Sequence, residues 1–368
     1  MSSTIPNESS SFYKQQTHDI NTKTKQILKQ LPAFCEEYFR GVSSRTSALT
    51  RLNYAYDLRI FFDYLIKEKF LEKHAIAEIT LADLQSITVT DIEKFLDYVS
   101  FYERTQEYED KEILLLSENG ERGKSRKLSS IRALFKYLFK KEYLSSNVAA
   151  LVETPKLHEK AIIRLEGDEI QKLLTAVETG EHLSERQQKL HQSTFGKRDT
   201  AIITLLLGSG IRVSECIGLN MEDVNFRENT IKVTRKGGNE VILYVNEEVM
   251  QVLSAYLDDR RKITVADDRD QKALFLSTQR TRITQRQVQR LVQKYSSVST
   301  PLKHITPHKL RSTYGTQLYR ESGDIYLVAD VLGHKDVNTT KRHYAAMSED
   351  RRKKASELVH LHEEDKKE

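Results

Sequence analysis

The chain of 368 residues has few features of a disulfide-linked, zinc-binding or membrane protein. Its two cysteines, Cys35 and Cys216, lie far apart and lack the spacing of metal ligands. A disulfide framework or a zinc site is therefore not expected, and a reducing compartment suits the composition. The first residues are polar, without the apolar core of a signal peptide, and no apolar run is long enough to span a bilayer. We therefore expect a soluble protein of the cytoplasm.

A strong excess of one charge is also missing. The 58 lysines and arginines nearly balance the 53 acidic residues, which leaves a net charge of +5. Such a mild excess permits nucleic-acid binding without requiring it, so the grouping of the cations matters more than their number. The length exceeds what one core usually supports and predicts two domains.

Helical spacing of apolar residues dominates the chain and predicts a mainly α protein. The clear β signal is one hairpin, in which "TIKVT" and "VILYV" are joined by "RKGGNE". The polar stretches "SENGERGKSRK" and "GEHLSERQQKLHQSTFGK" are predicted to be loops, and Pro155 with its charged neighbours indicates a linker. We expect an α-helical bundle followed by a mixed, mostly helical domain with a small antiparallel sheet. The predicted segments are a flexible N-terminus at 1–24, a helical domain at 25–152, a linker at 153–165, a mixed, mostly helical domain at 166–350 and a C-terminal helix at 351–368.

Polar residues able to do chemistry stand in the second half where helices and strands begin or end. An arginine follows a Gly-rich break, a lysine lies in the Gly-Gly turn, and a histidine and an arginine one helical turn apart follow a proline. A second histidine follows a glycine, and a tyrosine comes ten residues later. These residues are Arg212, Lys236, His308, Arg311, His334 and Tyr344.

Cations grouped in this way suit a phosphate. Guanidinium groups bind phosphate oxygens in pairs, and a phosphoryl-transfer transition state carries negative charge on those oxygens. The sequence has no Walker loop and no acidic cluster for magnesium, so the positive charge has to come from side chains. A protein nucleophile is then expected. Arginines next to Tyr344 would favour its phenolate, since a free phenol has a pKa near ~10.

Each of these residues, taken alone, has an ordinary structural explanation. Arg212 could form a surface salt bridge with Glu215, His334 could be a hydrogen-bonded core residue, and Tyr344 could simply pack. Asp330 could support His334 or belong to a solvated face. The joint occurrence of the residues in one order favours the catalytic interpretation.

The motifs "GSGIRVSE", "TRKGG", "TPHKLR", "LGH" and "TTKRHYA", in that order, resemble the tyrosine recombinase (phage integrase) family. Within it the chain is most similar to Xer-type recombinases, and "LPAFCEEYF" is similar to the single-protein Xer form of streptococci and lactococci. The resemblance covers residues 25–350. One departure is the ten-residue interval from His334 to Tyr344, where Xer enzymes usually have nine and many transposon integrases have ten. It leaves open a housekeeping or a mobile-element role.

The resemblance implies a site-specific recombinase with a tyrosine nucleophile. Tyr344 would attack the scissile phosphodiester to form a 3′-phosphotyrosyl link, while Arg212 and Arg311 would bind the non-bridging oxygens. A type IB topoisomerase, which shares this chemistry, and a catalytically silent DNA-binding protein remain alternatives.

The remaining three residues would handle protons and hydrogen bonds. By resemblance, Lys236 would protonate the departing 5′-oxygen, His308 would assist proton transfer, and His334 would donate a hydrogen bond to the phosphate. No metal, cofactor or ATP is expected, because the covalent link retains the energy of the broken bond.

Several basic residues of both domains are candidates for contacts with double-stranded DNA. For any single run of cations an ordinary solvated surface is usually the better explanation. Two basic domains could nevertheless close on a duplex as a clamp whose affinity falls with salt. The candidates are Arg45, Arg51, Lys124, Arg126, Lys127, Arg132, Arg282 and Arg286.

The charged tail at 351–368 carries a short apolar seam. In the family that the chain resembles, the end of the chain packs into a neighbouring subunit, which implies a homotetramer on DNA. A DNA translocase is a further partner that the resemblance allows. The physiological task, whether dimer resolution, integration or excision, stays open.

Overall fold

The computed structural model describes residues 9–108, 111–156, 163–235, 237–334 and 336–338. They divide into two compact units, the first within Tyr13–Lys160 and the second within Met1–Phe12 and Ala161–Glu368. None of the helices in these ranges is long and apolar enough to cross a membrane.

The first unit is mostly helical and contains one antiparallel hairpin, formed by β1 and β2. Helix α1 begins in the second unit and continues into the first. The elements are α1 (Ser9–Leu28), α2 (Phe34–Gly41), α3 (Ala48–Glu68), α4 (Leu81–Gln85), α5 (Val89–Tyr98), β1 (Phe101–Tyr108), β2 (Lys111–Glu118) and α6 (Glu121–Lys140).

Helices α3 and α6 pack against each other around an aromatic core. The Phe61 and Phe95 rings are both fully buried and meet edge to face, with centroids 5.0 Å apart. Thr88 caps α5, as its sequence predicts, since the Asp91 main-chain N–H donates to the Thr88 hydroxyl and the Asp91 carboxylate accepts the Thr88 N–H.

The hairpin of the first unit did not emerge from the sequence, which predicted helices and a loop there. The stretch between its strands contains Glu109 and Asp110 instead of the glycines that marked the other hairpin. The predicted polar loop is also shorter than expected, because α6 already begins at Glu121, directly after Gly120. The first turns of α6 contain charged residues, and this polar composition is what indicates a loop in the sequence.

The second unit is mixed, with helices around a small sheet. Its elements are α7 (Gly167–Thr179), α8 (Glu185–Leu190), α9 (Gly196–Ser209), α10 (Val213–Gly218), β3 (Val224–Asn225), β4 (Thr230–Thr234), β5 (Glu240–Tyr244), α11 (Glu247–Arg260), α12 (Gln285–Ser299), α13 (Pro307–Ser322) and α14 (Ile325–Leu332). The mainly α fold class with a small antiparallel sheet is thus confirmed.

Helix α9 forms the centre of the second unit, with α7, α11, α12 and α13 packed around it. Ile202, Leu205 and Leu206 of its apolar run are completely buried. The helix ends at Gly210, whose left-handed conformation (φ 62°) turns the chain towards Arg212. Because α9 is buried at the centre of the unit, it fixes the position at which Arg212 begins the next segment.

The sheet is antiparallel in the order β3-β4-β5. Strands β4 and β5 form the predicted hairpin, with Thr230 opposite Tyr244 and Thr234 opposite Glu240. The stretch before α9 differs from its prediction as a loop, because it contains α8 and a π-helical turn at His191–Phe195. The polar composition of that stretch reflects exposure and not the absence of a helix.

Candidate active site

The C-terminal end of α14 is the point at which the candidate residues meet. The helix stops at Gly333, which adopts the left-handed conformation (φ 62°). The main-chain N–H of Gly333 donates to Asp330 O (2.8 Å), and that of His334 donates to Ala329 O (2.9 Å). The carbonyl groups of residues 330–333, here called the α14 carbonyl end, carry the negative end of the helix dipole, which attracts cations.

Arg311 reaches this end from α13. Pro307 occupies the first turn of α13, and Arg311 follows one turn later, 5% exposed. Its Nη1 donates to Gly210 O (2.6 Å), at the end of α9, and its Nη2 donates to Leu332 O. The buried guanidinium therefore ties the ends of two helices together.

Arg212 reaches the same end from the start of α10. Its Nη2 donates to Gly333 O (3.1 Å), and its Nη1 donates to Glu215 Oε1 (2.8 Å). The other carboxylate oxygen of Glu215, a residue only 3% exposed, accepts the Arg212 main-chain N–H (2.8 Å). The salt bridge with Glu215 does form, but its carboxylate is interior and directs the arginine towards the α14 carbonyl end.

A third arginine, Arg235, completes the arrangement and was not predicted. It follows β4 directly and precedes Lys236, and its Nη2 donates to Val331 O (2.8 Å). Its Nη1 lies 3.4 Å from Asp330 O. The sequence signal was the adjacent cation pair in "TRKGG", of which only the lysine had been considered.

Three guanidinium groups from three separate segments thus bind four consecutive carbonyl groups of one helix end. We call Arg212, Arg235 and Arg311 the arginine cluster. Guanidinium groups are well suited to bind phosphate oxygens, because their planar forks donate two hydrogen bonds at a time. The geometry therefore suits the binding of a phosphodiester.

The two predicted histidines occupy opposite settings near the cluster. His308 is exposed on the first turn of α13, one turn before Arg311. His334 is half-buried and directly follows the α14 carbonyl end. Asp330, one turn before His334, has an exposed side chain, and its carbonyl takes part in the helix end.

Lys236 and Tyr344 lie outside the described residues, as does the tail at 351–368. Lys236 is flanked in sequence by Arg235 and Gly237, both of which are described.

Tyr314, which follows Arg311 on α13, is a second tyrosine in this region. Burial raises the pKa of its phenol, which therefore stays protonated near neutral pH. Tyr314 also occupies the space next to Gly210 that a side chain there would need. Tyr314 therefore packs beside the end of α9, and burial disfavours its phenolate.

The predicted DNA-contact residues of the first unit mostly hold that unit together. Arg51 donates to Thr46 O (2.6 Å) and Ser43 O (3.0 Å), and Lys127, 2% exposed, donates to Asn119 Oδ1 (2.7 Å). Burial of this kind disfavours a direct phosphate contact for Lys127.

Two further arginines of α6 are also engaged in the first unit. Arg126 pairs with Asp57, a buried carboxyl whose pKa is raised by burial even though Arg126 acts to lower it. Arg132 donates to Ala149 O (3.1 Å), to Thr154 Oγ1 (2.8 Å) and to Val152 O. Both arginines have structural roles here.

The last two candidates of the first unit differ in accessibility. Arg45 is exposed, whereas the Lys124 side chain is 18% exposed and lies 3.7 Å from Glu121, in the first turn of α6.

In the second unit, the basic run before and within α12 separates into two kinds of residue. Arg282 is 8% exposed and donates to Leu219 O (2.9 Å) and Asn220 Oδ1 (2.7 Å), so it belongs to the interior. Arg286 and Arg290 are exposed on α12. Only the exposed pair has the accessibility that a DNA contact needs.

A cavity of about 210 Å³ beside Arg290 shows that a group of cations need not form a phosphate site. The buried carboxylate of Asp199 there accepts hydrogen bonds from Arg198, from Lys294 (2.7 Å) and from the Tyr295 hydroxyl (2.9 Å). Burial and Asp199 together raise the pKa of Tyr295. In this cavity Asp199 pairs with Arg198 and Lys294, whereas the arginine cluster converges on main-chain carbonyl groups.

Comparison with known proteins identifies the family. The model of the phage integrase family matches residues 163–351, just over half of the chain, and this range contains the arginine cluster. The chain belongs to the phage integrase family. It is therefore a tyrosine recombinase, as its motifs suggested.

The sequence is also similar to that of a named relative over most of the chain. The tyrosine recombinase XerS of Streptococcus agalactiae serotype III is 34% identical over 344 residues, which are 86% of this chain and 93% of that protein. The similarity thus extends beyond the matched catalytic range into the first unit.

Solved structures show the same fold at lower identity. The XerH site-specific recombinase bound to its difH substrate, a pre-cleavage complex, has a TM-score of 0.59 at 20% identity and covers 81% of this chain and 77% of its own. A lambda integrase tetramer bound to a Holliday junction has a TM-score of 0.55 at 16% identity, covering 84% of this chain and 75% of its own.

Proposed function

We propose that this chain is a site-specific recombinase that cuts and rejoins double-stranded DNA through a 3′-phosphotyrosyl intermediate on Tyr344. The observation that carries the proposal is the convergence of Arg212 and Arg311 on the adjacent carbonyl groups of Gly333 and Leu332, next to His334. Two guanidinium groups that bond neighbouring carbonyl groups can bind one phosphate together.

The two arginines act on the transition state. When DNA binds, Arg212 and Arg311 donate to the non-bridging oxygens of the scissile phosphate, where negative charge builds up during attack. Loss of one such donor typically raises the barrier by ~2.7–4 kcal/mol. Glu215 keeps Arg212 oriented before DNA arrives, because it holds both the guanidinium and the main-chain N–H.

The covalent step conserves the phosphodiester bond energy. The Tyr344 oxygen attacks phosphorus as His308 assists removal of the phenolic proton, and the bond from phosphorus to the 5′-oxygen breaks. Lys236 gives that oxygen a proton, while His334 donates a hydrogen bond to the phosphate. Attack by a 5′-hydroxyl on the phosphotyrosine reverses these steps and rejoins the strand without ATP.

We assign DNA binding to cations of both units that are exposed or only partly buried. The exposed Arg45 and Arg286 and the partly buried Lys124 remain in the proposed contact set, and Arg290 joins them because of its exposure. Lys127 and Arg282 leave the set because both are buried.

Assembly and cellular task extend the same proposal. A homotetramer on DNA, joined through the tail at 351–368, would cut strands in pairs, and the lambda integrase tetramer on a Holliday junction supports that stoichiometry. The similarity to XerS fits a task in chromosome partition and cell division, and the first candidate task is therefore resolution of chromosome dimers. We place this task in the cytoplasm, with a DNA translocase as accessory partner, as the resemblance to Xer enzymes implies. The ten-residue interval from His334 to Tyr344 favours mobile-element integration or excision as the second candidate task.

The named relatives are recombinases, so the topoisomerase and silent-binder alternatives are not favoured. Two assays, relaxation of supercoiled plasmid and formation of a covalent protein–DNA adduct, distinguish these alternatives. A topoisomerase would relax supercoiled plasmid of any sequence, and a silent binder would form no covalent adduct.

The test begins with the target site. Covalent protein–DNA adducts are isolated from cells that contain the full-length protein, and the attached DNA is sequenced. A nicked duplex of that sequence, from which the cleaved end diffuses away, then traps the phosphotyrosyl intermediate.

Wild-type protein is expected to accumulate the adduct, and Tyr344→Phe to form none because it lacks the nucleophilic oxygen. Tyr326→Phe is the matched control, since this tyrosine lies on α14 and is 70% exposed. An adduct that persists in Tyr344→Phe would show that another residue is the nucleophile.

A further inference from the structure

The hairpin that carries Lys236 needs an anchor, because its turn is built from glycines. Gly237 and Gly238 have φ values of 103° and 87°, which few other residues adopt. The turn is closed by hydrogen bonds from Arg235 N to Asn239 O (2.8 Å) and from Gly238 N to Arg235 O (3.0 Å). Main-chain bonds within the turn fix its shape but not its position against the rest of the unit.

The side chain of Arg235 supplies a tertiary contact from this turn. It crosses to the α14 carbonyl end, 95 and 96 residues away along the chain, and bonds Val331 O (2.8 Å) and Asp330 O (3.4 Å). Two residues after Val331, the Gly333 carbonyl accepts from Arg212, and His334 begins the segment that leads to Tyr344. The contact therefore joins the lysine-bearing turn to the helix end used by both phosphate-binding arginines.

The fit between Arg235 and Gly333 is close. A side-chain carbon added at Gly333 would overlap the Arg235 guanidinium at Nη1 and Cζ. The glycine is thus required twice, once for its left-handed conformation and once for the space that Arg235 fills. Because the Arg235 side chain fills the space that Gly333 leaves open, the contact fixes the position of the β4–β5 turn against the end of α14.

Proton donation from Lys236 is sensitive to such positioning. A general acid contributes roughly 10²–10⁴-fold to a rate only when it lies within hydrogen-bond reach of the departing oxygen. A displacement of ~1 Å can cost about 10²-fold. The residue next to Lys236 is well suited to control that displacement.

We propose that Arg235 is a positioning residue that docks the β4–β5 turn on the α14 carbonyl end and thereby sets Lys236 against the 5′-oxygen of the scissile phosphate. This role rests on the proposed function, since it needs Lys236 to act as the general acid. Arg235 itself need not touch DNA.

The experiment compares two nicked suicide duplexes of the target site, one with the natural 5′-oxygen and one with 5′-sulfur at the scissile bond. Sulfur leaves as a thiolate without a proton from the enzyme, because thiols have a pKa near ~8.5. A defect in proton donation is therefore rescued by sulfur, whereas a defect in phosphate binding or folding is not.

The full-length variants are Arg235→Ala, Arg235→Lys, Lys236→Ala and the double Arg235→Ala/Lys236→Ala. We expect Arg235→Ala to slow single-turnover cleavage of the oxygen substrate by about 10²-fold and that of the sulfur substrate by no more than about threefold. Arg235→Lys should recover part of the rate, since it keeps one donor but not the fork. The double variant should be no slower than Lys236→Ala alone, because both changes remove the same proton transfer.

Lys232→Ala is the matched control. Lys232 lies on β4 of the same hairpin, 3.5 Å from Asp223 and away from the α14 carbonyl end, so its loss should change neither rate. An Arg235→Ala variant that is equally slow on both substrates, or not slow on either, would overturn the positioning role. A wild-type protein that forms no adduct with either duplex would instead refute the proposed function, and the positioning role with it.

Discussion

Arg132 in the first unit and Arg311 in the second both donate to main-chain carbonyl groups. They differ in how far apart along the chain the segments that they join lie. The partners of Arg132 lie 17 to 22 residues further along the chain, so the arginine closes a local connection after α6. Arg311 joins Leu332, 21 residues away, to Gly210, 101 residues away, beside Arg212 and Arg235. Convergence of several segments, and not the presence of arginine, distinguishes a candidate phosphate site from a structural bond.

The acids of the two units show the same contrast. Asp91 at the start of α5 accepts the Thr88 N–H (2.8 Å) and pairs with Lys69 (2.6 Å), contacts that stabilise a helix end. Glu215 at the start of α10 makes the equivalent main-chain contact, but its second oxygen orients Arg212. One capping arrangement therefore serves stability in the first unit and the candidate site in the second.

The largest effect is expected at Arg311. Arg311→Lys keeps the charge and loses the fork that binds two oxygens, so cleavage of the suicide duplex should fall by roughly 10²–10³-fold. Single-turnover kinetics on folded protein measure it. Arg132→Lys, the corresponding change in the first unit, should leave the cleavage rate unchanged, and comparable losses in both variants would remove the distinction between the units.

A smaller effect on stability is expected at Arg132. Arg132→Ala removes hydrogen bonds to Ala149 O and Val152 O, and a charged hydrogen bond contributes about 1.5–3 kcal/mol to the free energy of unfolding. Urea denaturation should show a loss of about that size. Lys136→Ala, an exposed change one turn later on α6, should stay within about 0.5 kcal/mol of wild type. Equal stability of the two variants would contradict the structural role of Arg132.

DNA affinity should respond modestly to the exposed cations of α12. Arg286→Ala and Arg290→Ala should each lower the slope of log binding constant against log salt by about 0.9, the value for one phosphate contact. Titrations of the target duplex at several salt concentrations measure the slope. Arg227→Ala, an exposed arginine on a loop of the same unit, should leave it unchanged. An unaltered slope in both α12 variants would exclude this face as a phosphate contact.

The smallest effect is expected at the α5 cap. Burial acts to raise the pKa of Asp91, but hydrogen bonds from Lys69 and Thr88 outweigh it and hold that pKa below its ordinary value of 3.8. Because the folded pKa is depressed, the stabilisation is complete above pH 3.8 and is lost as the pH falls through the folded value.

The corresponding variant is Asp91→Asn, which should lower the free energy of unfolding by about 1 kcal/mol near neutral pH. Its difference from wild type should shrink in acid. A difference that grows as the pH falls below 3.8 would show that the sign is wrong.

Prediction from sequence worked best where glycine and proline mark the ends of elements. Gly210, Pro307 and Gly333 located the helix ends, and the arginines and histidines beside them could be identified one motif at a time. It worked least well for isolated cations. Lys127 and Arg282 have the same sequence character as exposed basic residues, yet burial places both in the interior.

The sequence by itself determined the mainly helical class, the β4–β5 hairpin and the family, because periodicity and ordered motifs are properties of the chain. Only the tertiary structure decided that Arg235 joins Arg212 and Arg311 at the end of α14, and which basic residues are accessible. The reason is physical: a hydrogen bond between residues 235 and 331 depends on how helices and strands pack, and local sequence does not encode that distance.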